Sequence, residues 1–249
     1  PQGGNLLIDH NSVINTSFLF AQHSCLKWGS IECTVVGGTG TLNVGNGLFS
    51  IGQKSSSATF SSASGTSVVF SSAAPQFYLG SSDDRGTVSF SINFAAGSKQ
   101  VFSAATNQNI PVKFPFSKAK TSAPVFSTLN YSRLTASGGG TKSIIGGVIS
   151  IADSLLLNTG ITLKLDSSNR INSTITKLRM HGGTLSTGTP LKGYAATFGT
   201  LDVKDNSVIS LGQESHNINF QASNAVSWSA GKRLVIIDWM GIRGNTGVG

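Results

Sequence analysis

Apolar and polar residues alternate with a period of two along most of this chain, the spacing expected of half-buried β-strands. Residues 40–44 read Gly-Thr-Leu-Asn-Val, with Leu42 and Val44 on one side. The phrase returns as Gly86-Thr87-Val88-Ser89-Phe90, as Gly183-Thr184-Leu185 and as Gly199-Thr200-Leu201-Asp202-Val203. In the last of these, Leu201 and Val203 share a face, while Thr200, Asp202 and Lys204 take the other. Glycine before each run suits the turn, and β-branched Thr suits the start of a strand. A second phrase ends on Phe60, Phe70, Phe94 and Phe220, each with an apolar residue two places earlier. Rings repeated on one face suit stacking inside a narrow core.

The last third is the most regular. Ile149 with Ile151, Ile161 with Leu163 and Leu165, Ile175 with Leu178 and Met180, and Leu201 with Val203 follow one another between turn-rich pieces. Ile209 with Leu211, Ile218 with Phe220 and Val226 with Trp228 continue the series. Leu234-Val235-Ile236-Ile237 closes it as a strand apolar on both sides, the kind buried within a fold. Ser150–Asn158 alone offers a turn or two of helix, since no segment sustains a 3.6-residue period. The pattern predicts an all-β chain: a β-solenoid, a parallel β-helix-like stack of short strands in which neighbouring coils bury each other's apolar faces. β-Sandwich domains are the alternative, because alternating strands at short intervals look alike in both. Pro111, Pro115 and Pro124 interrupt the pattern, and proline removes ladder donors. They divide the chain into an N-terminal β unit, 1–127, and a regular stack, 128–249.

Composition sharpens this picture. The 249 residues include 38 Ser, 22 Thr and 30 Gly, with only 11% charged residues and 39% hydrophobic ones. Such apolar content excludes disorder, and no apolar run reaches the length of a membrane-spanning helix. The chain opens on Pro1 and closes on Asn245-Thr246-Gly247-Val248-Gly249, which reads as an excerpt of a longer precursor. Cys25 and Cys33, an even pair in an extracytoplasmic composition, are a candidate disulfide; two buried free thiols on neighbouring strands are the other reading.

The net charge of +8 is uneven. No acid lies between Asp84 and Asp153, a stretch that holds Arg85, Lys99, Lys113, Lys118, Lys120, Arg133 and Lys142. Lys113, Lys118 and Lys120 form a candidate patch for an anionic partner such as acidic polysaccharide. A solvated basic face accounts for the others, and without an aromatic-plus-basic module nucleic acid is not an expected partner.

Asp83-Asp84 reads as a turn. Asp153, Asp166, Asp202, Asp205 and Asp238 show no sequence sign of the paired carboxylates that glycoside cleavage needs. His10, His23, His181 and His216 are isolated, and no serine sits in a Gly-x-Ser-x-Gly elbow. Ser137-Gly138-Gly139-Gly140-Thr141-Lys142 lacks phosphate-loop spacing and reads as a flexible turn. Trp28, Trp228 and Trp239 suit core or edge packing better than a sugar platform. Ice binding would require regular Thr-x-Thr ladders, whereas Thr39-x-Thr41 and Thr187-x-Thr189 stand alone. No catalytic, cofactor-binding or metal-binding residue is predicted, and no cofactor.

Near the C-terminus the wording becomes specific. Gly199-Thr200-Leu201-Asp202-Val203 leads through Asp205-Asn206-Ser207-Val208-Ile209-Ser210-Leu211-Gly212 and Ser215-His216-Asn217-Ile218-Asn219-Phe220. Val226-Ser227-Trp228 and Ala230-Gly231-Lys232-Arg233-Leu234-Val235-Ile236 follow, closing on Asp238-Trp239-Met240-Gly241. Over 183–241 this resembles the ends of large Bacteroidetes-type β-strand-repeat surface proteins exported by type IX secretion. The resemblance implies a β-solenoid passenger located outside the cell or on its outer surface. With the strand pattern, it gives the expected function: a non-catalytic secreted or cell-surface structural or adhesive protein. Its partners would be further copies, forming a filament or layer, or other surface proteins. The alternative is a carbohydrate-binding or carbohydrate-degrading β-helix protein.

Overall fold

The computed structural model describes residues 6–7, 12–14, 18–20, 31–36, 41–44, 48–51, 58–62, 65, 67–71, 76–79, 89–112, 125–126 and 129–240. All regular elements among them are β-strands, and nearly all pairings are parallel. The architecture is a β-solenoid, and a β-sandwich of antiparallel hairpins is set aside. The chain divides into two compact units, residues 1–101 with 113–132, and residues 102–112 with 133–249.

In the first unit three strands recur in turn. Leu6–Leu7, Ile31–Val36, Ala58–Ser62 and Ser89–Phe94 stack in parallel. Ser12–Ile14, Thr41–Val44 and Ser67–Phe70 form a second series, and Phe18–Phe20, Leu48–Ile51 and Gln76–Leu79 a third. Val68 and Phe70 point inward and are buried, as their alternation predicts. Phe94 stacks on Tyr131 with ring centroids 5.6 Å apart. Buried amide and hydroxyl groups are satisfied locally: Gln100 Nε2 donates to Ser98 Oγ at 2.8 Å, and Ser132 N–H donates to Gln100 Oε1 at 2.8 Å.

The second unit repeats the plan with tighter coils. One face holds Ser150–Asn158, Lys177–His181 and Leu201–Asp205. The next holds Gln108–Pro111, Gly140–Ile145, Ile161–Leu165, Thr184–Ser186, Ser207–Ser210 and Leu234–Ile237, six strands in parallel order. A third, short face pairs Ala196–Phe198 with Ile218–Phe220. Ser150–Asn158 is a strand, so the helical turn expected there is corrected; Leu155 and Leu157 are both fully buried in the stack. The core is a column of aligned apolar side chains. Leu163, Leu185 and Ile209 are in register, and so are Leu157, Met180 and Val203. Phe220, one of the rings of the Phe phrase, stacks on Phe198, which lies outside that phrase, with centroids 5.5 Å apart.

Two expectations fail here for physical reasons. Leu234–Ile237 is not buried: Val235 is 47% and Ile236 49% exposed, because among the described residues it pairs only with Ser207–Ser210. Nor is the triple-glycine run a flexible turn. Gly138 and Gly140 have φ of +85° and +64°, and a Cβ on Gly138 would meet the carbonyl oxygens of Ser103 and Ala104. Only glycine allows this approach.

Candidate functional site

The glycine run delivers Lys142 inward, into the same column as Leu163. Lys142 is fully buried, and its Nζ donates to the carbonyl oxygens of Ala104 at 2.6 Å, Thr106 at 2.9 Å and Gly139 at 2.8 Å. An ammonium group has three donors, and here each has an acceptor. Burial lowers its pKa from the ordinary lysine value. The expectation of a solvated basic face is therefore corrected at Lys142. Arg133 is not a free charge either, since its Nε donates to Asp153 at 2.7 Å.

On the first face of this unit, acids and bases neutralise one another between coils. Asp153 also lies 3.9 Å from Lys177, and Asp202 lies between Arg179 at 3.5 Å and Lys204 at 3.0 Å. Asp202 Oδ1 is buried and lacks an aligned hydrogen bond, so its contact with Lys204 rests on charge alone. His181 sits beside this group, and burial followed by the Arg179 charge lowers its pKa below the usual imidazole range. Asp205 is held low by the hydrogen bond from Lys232 and by the Asn206 N–H. Asp166 pairs with Arg170 at 2.6 Å. These carboxylates serve as ion-pair partners in separate places and do not converge.

The six-stranded face is different in kind. Its outward positions form two columns in strict register. The first runs Thr141, Thr162, Thr184, Val208 and Val235, all β-branched. The second runs Asn109, Ser143, Lys164, Ser186, Ser210 and Ile237. Neighbouring coils in a parallel sheet lie about 4.8 Å apart, and the two columns lie about 6.6 Å apart along each strand. β-Branched side chains are stiff at χ1, so the methyl and hydroxyl groups repeat with little freedom. Among the described residues, no protein group bonds the hydroxyls of Thr141, Thr162 or Thr184. Ser186 and Ser210 instead donate to Gly188 O and Asp238 Oδ2. Sequence reasoning missed this face because it looked for Thr-x-Thr within a strand. The column lies between coils, and Thr-x-Ser at 141–143 and 184–186 was the available signal.

A cavity of about 750 Å3 opens where the stack reaches Leu234–Ile237, with Trp239, Asp238, Glu214 and His216 in its wall. Trp239 is 52% and Trp228 43% exposed, and Trp228 donates its indole N–H to Leu201 O at 3.2 Å. Among the described residues no group of three or more His, Cys, Asp or Glu side chains is placed to hold a metal ion. None of their helices is long and apolar enough to cross a membrane.

Several predicted positions fall elsewhere. Lys113, Lys118, Lys120, Cys25, Asp83, Asp84, His10, His23 and Trp28 lie outside the described residues. Cys33 lies in the strand Ile31–Val36, opposite Phe60. No known protein family, no curated protein and no solved structure matches this chain.

Proposed function

We propose that this chain is a non-catalytic structural and adhesive module of a secreted or cell-surface protein, and that the six-stranded face of its second unit is the contact surface. The observation that carries the reading is the in-register column Thr141, Thr162, Thr184, Val208 and Val235, with three hydroxyls that no group among the described residues bonds. A rigid face that presents the same groups at constant intervals suits a partner that also repeats, and a second copy of the chain is such a partner. The wording of 183–241, similar to exported β-strand-repeat surface proteins, supports an extracellular setting. That setting carries with it a Cys25–Cys33 disulfide, which thiol titration under denaturing conditions would detect.

Polysaccharide binding is the second reading, favoured by the same unoccupied hydroxyls. Sedimentation velocity over a concentration series, retention on insoluble cellulose and chitin, and a reducing-end assay together decide the matter. Concentration-dependent assembly without release of reducing ends supports the structural role, and retention on one polysaccharide without turnover supports the second reading. Release of reducing ends, or a monomer that adheres to nothing, overturns both.

A further inference from the structure

The cavity at the end of the second unit is not part of the six-stranded face's outer surface, and its lining selects a different ligand. Its apolar wall is built from Ile209, Ile218, Phe220, Ile236, Trp239 and Met240. Its volume of about 750 Å3 lies within the range of pockets that take small organic molecules. Among the described residues no Lys or Arg lines it, in a chain whose net charge is +8.

Charge identifies the ligand class. Asp153, Asp166, Asp202 and Asp205 each face a Lys or Arg within 4 Å. Glu214 and Asp238 face none among the described residues, and both line this cavity. Asp238 accepts a hydrogen bond from Ser210 Oγ at 2.8 Å, which orients the carboxylate without neutralising it. His216 Nδ1 lies 2.9 Å from the carbonyl of Glu214, pinning the ring next to the second acid. Both acids occupy left-handed backbone, with φ of 71° and 61°, uncommon for Glu and better tolerated by Asp. The half-exposed indole of Trp239 adds an electron-rich face that attracts cations. A metal ion is a poorer fit, since among the described residues no cluster of three or more ligating side chains is present.

We propose that this cavity binds an amphipathic organic cation: an apolar body seated between Ile218, Phe220 and Ile236, with an amine or quaternary ammonium head held by Glu214, Asp238 and the face of Trp239. Three probes of matched shape test it, 4-phenylbutylamine, 4-phenylbutanol and 4-phenylbutyrate, titrated by calorimetry and tryptophan fluorescence. The amine is expected to bind roughly tenfold more tightly than the alcohol, the increment of one partly desolvated cation contact, with the carboxylate weakest. The double variant Glu214→Gln/Asp238→Asn should keep the melting temperature and narrow the amine's advantage over the alcohol to the part that the Trp239 face supplies; Asn tolerates the left-handed backbone at 238. Trp239→Ala should weaken all three probes. Equal affinity of the wild-type protein for amine and alcohol, no saturable amine binding, or sedimentation showing the cavity filled by a second copy would each overturn the proposal.

Discussion

Two faces of the second unit, built from neighbouring strands of the same coils, treat polar side chains in opposite ways. On the face formed by Ser150–Asn158, Lys177–His181 and Leu201–Asp205, outward charges are matched inside the molecule. Arg133, Asp153 and Lys177 form one group, and Arg179, Asp202 and Lys204 another. On the six-stranded face, the outward Thr141, Thr162 and Thr184 have hydroxyls that bond no group among the described residues. The first face spends its polar chemistry on the fold, whereas the threonine column of the second contributes none of its hydroxyls to it among the described residues. Shared interior columns explain why the two can differ: inward residues hold the coils together, so the outward residues are free to serve another purpose.

The comparison is broken most severely where the six-stranded face is anchored. Lys142→Met removes a buried ammonium and strands three carbonyls, and is expected to cost roughly 3 kcal/mol or more of stability, read by chemical denaturation. Leu163→Ala, in the core column beside Lys142, should cost about 2–5 kcal/mol by leaving a cavity. A change at either site below 1 kcal/mol would mean that the coils are not held by their interior.

On the charged face the effects are smaller. Asp202→Asn takes away the partner of Arg179 and Lys204, cations that are themselves partly exposed, and should cost about 1 kcal/mol. His181 adds a pH dependence of defined sign. Its folded pKa is below the unfolded value of 6.5, so the unfolded chain binds the proton more readily. Its contribution is complete above pH 6.5 and is lost as the pH falls through the lower folded value. The melting temperature should fall on acidification from pH 6.5 down to that lower value, and less steeply in His181→Gln. An equal slope in the variant would remove His181 from the account. Smallest of all, Thr162→Val should change stability by no more than about 0.5 kcal/mol, because its hydroxyl bonds no group among the described residues.

How much of this was legible in the sequence differs between the same two faces. Alternation at Leu201 and Val203, Ile161 to Leu165 and Val68 with Phe70 correctly announced strands and their inward sides. Period-two patterning survives because each coil repeats the same in-and-out rule. The Thr column was hidden, since Thr141, Thr162, Thr184 and Val208 are separated by unequal intervals of 21, 22 and 24 residues. Hydroxyl residues are also so common here that no single one stands out. Lys142 read as a surface charge because a chain position alone does not reveal three converging carbonyls. Leu234–Ile237 read as a buried strand because composition records apolarity, whereas burial needs a neighbour on both sides.

The central claim is that adhesion belongs to the six-stranded face. Its most direct test is a matched pair of variants measured for concentration-dependent assembly and for retention on cellulose and chitin. Thr162→Lys/Thr184→Lys places charge in the hydroxyl column, and Lys177→Glu changes charge on the other face. The account predicts that the first abolishes whatever association the wild-type protein shows, with its fold intact by circular dichroism, while the second leaves association unchanged. Full association in the Thr162→Lys/Thr184→Lys protein, or loss confined to Lys177→Glu, would contradict it.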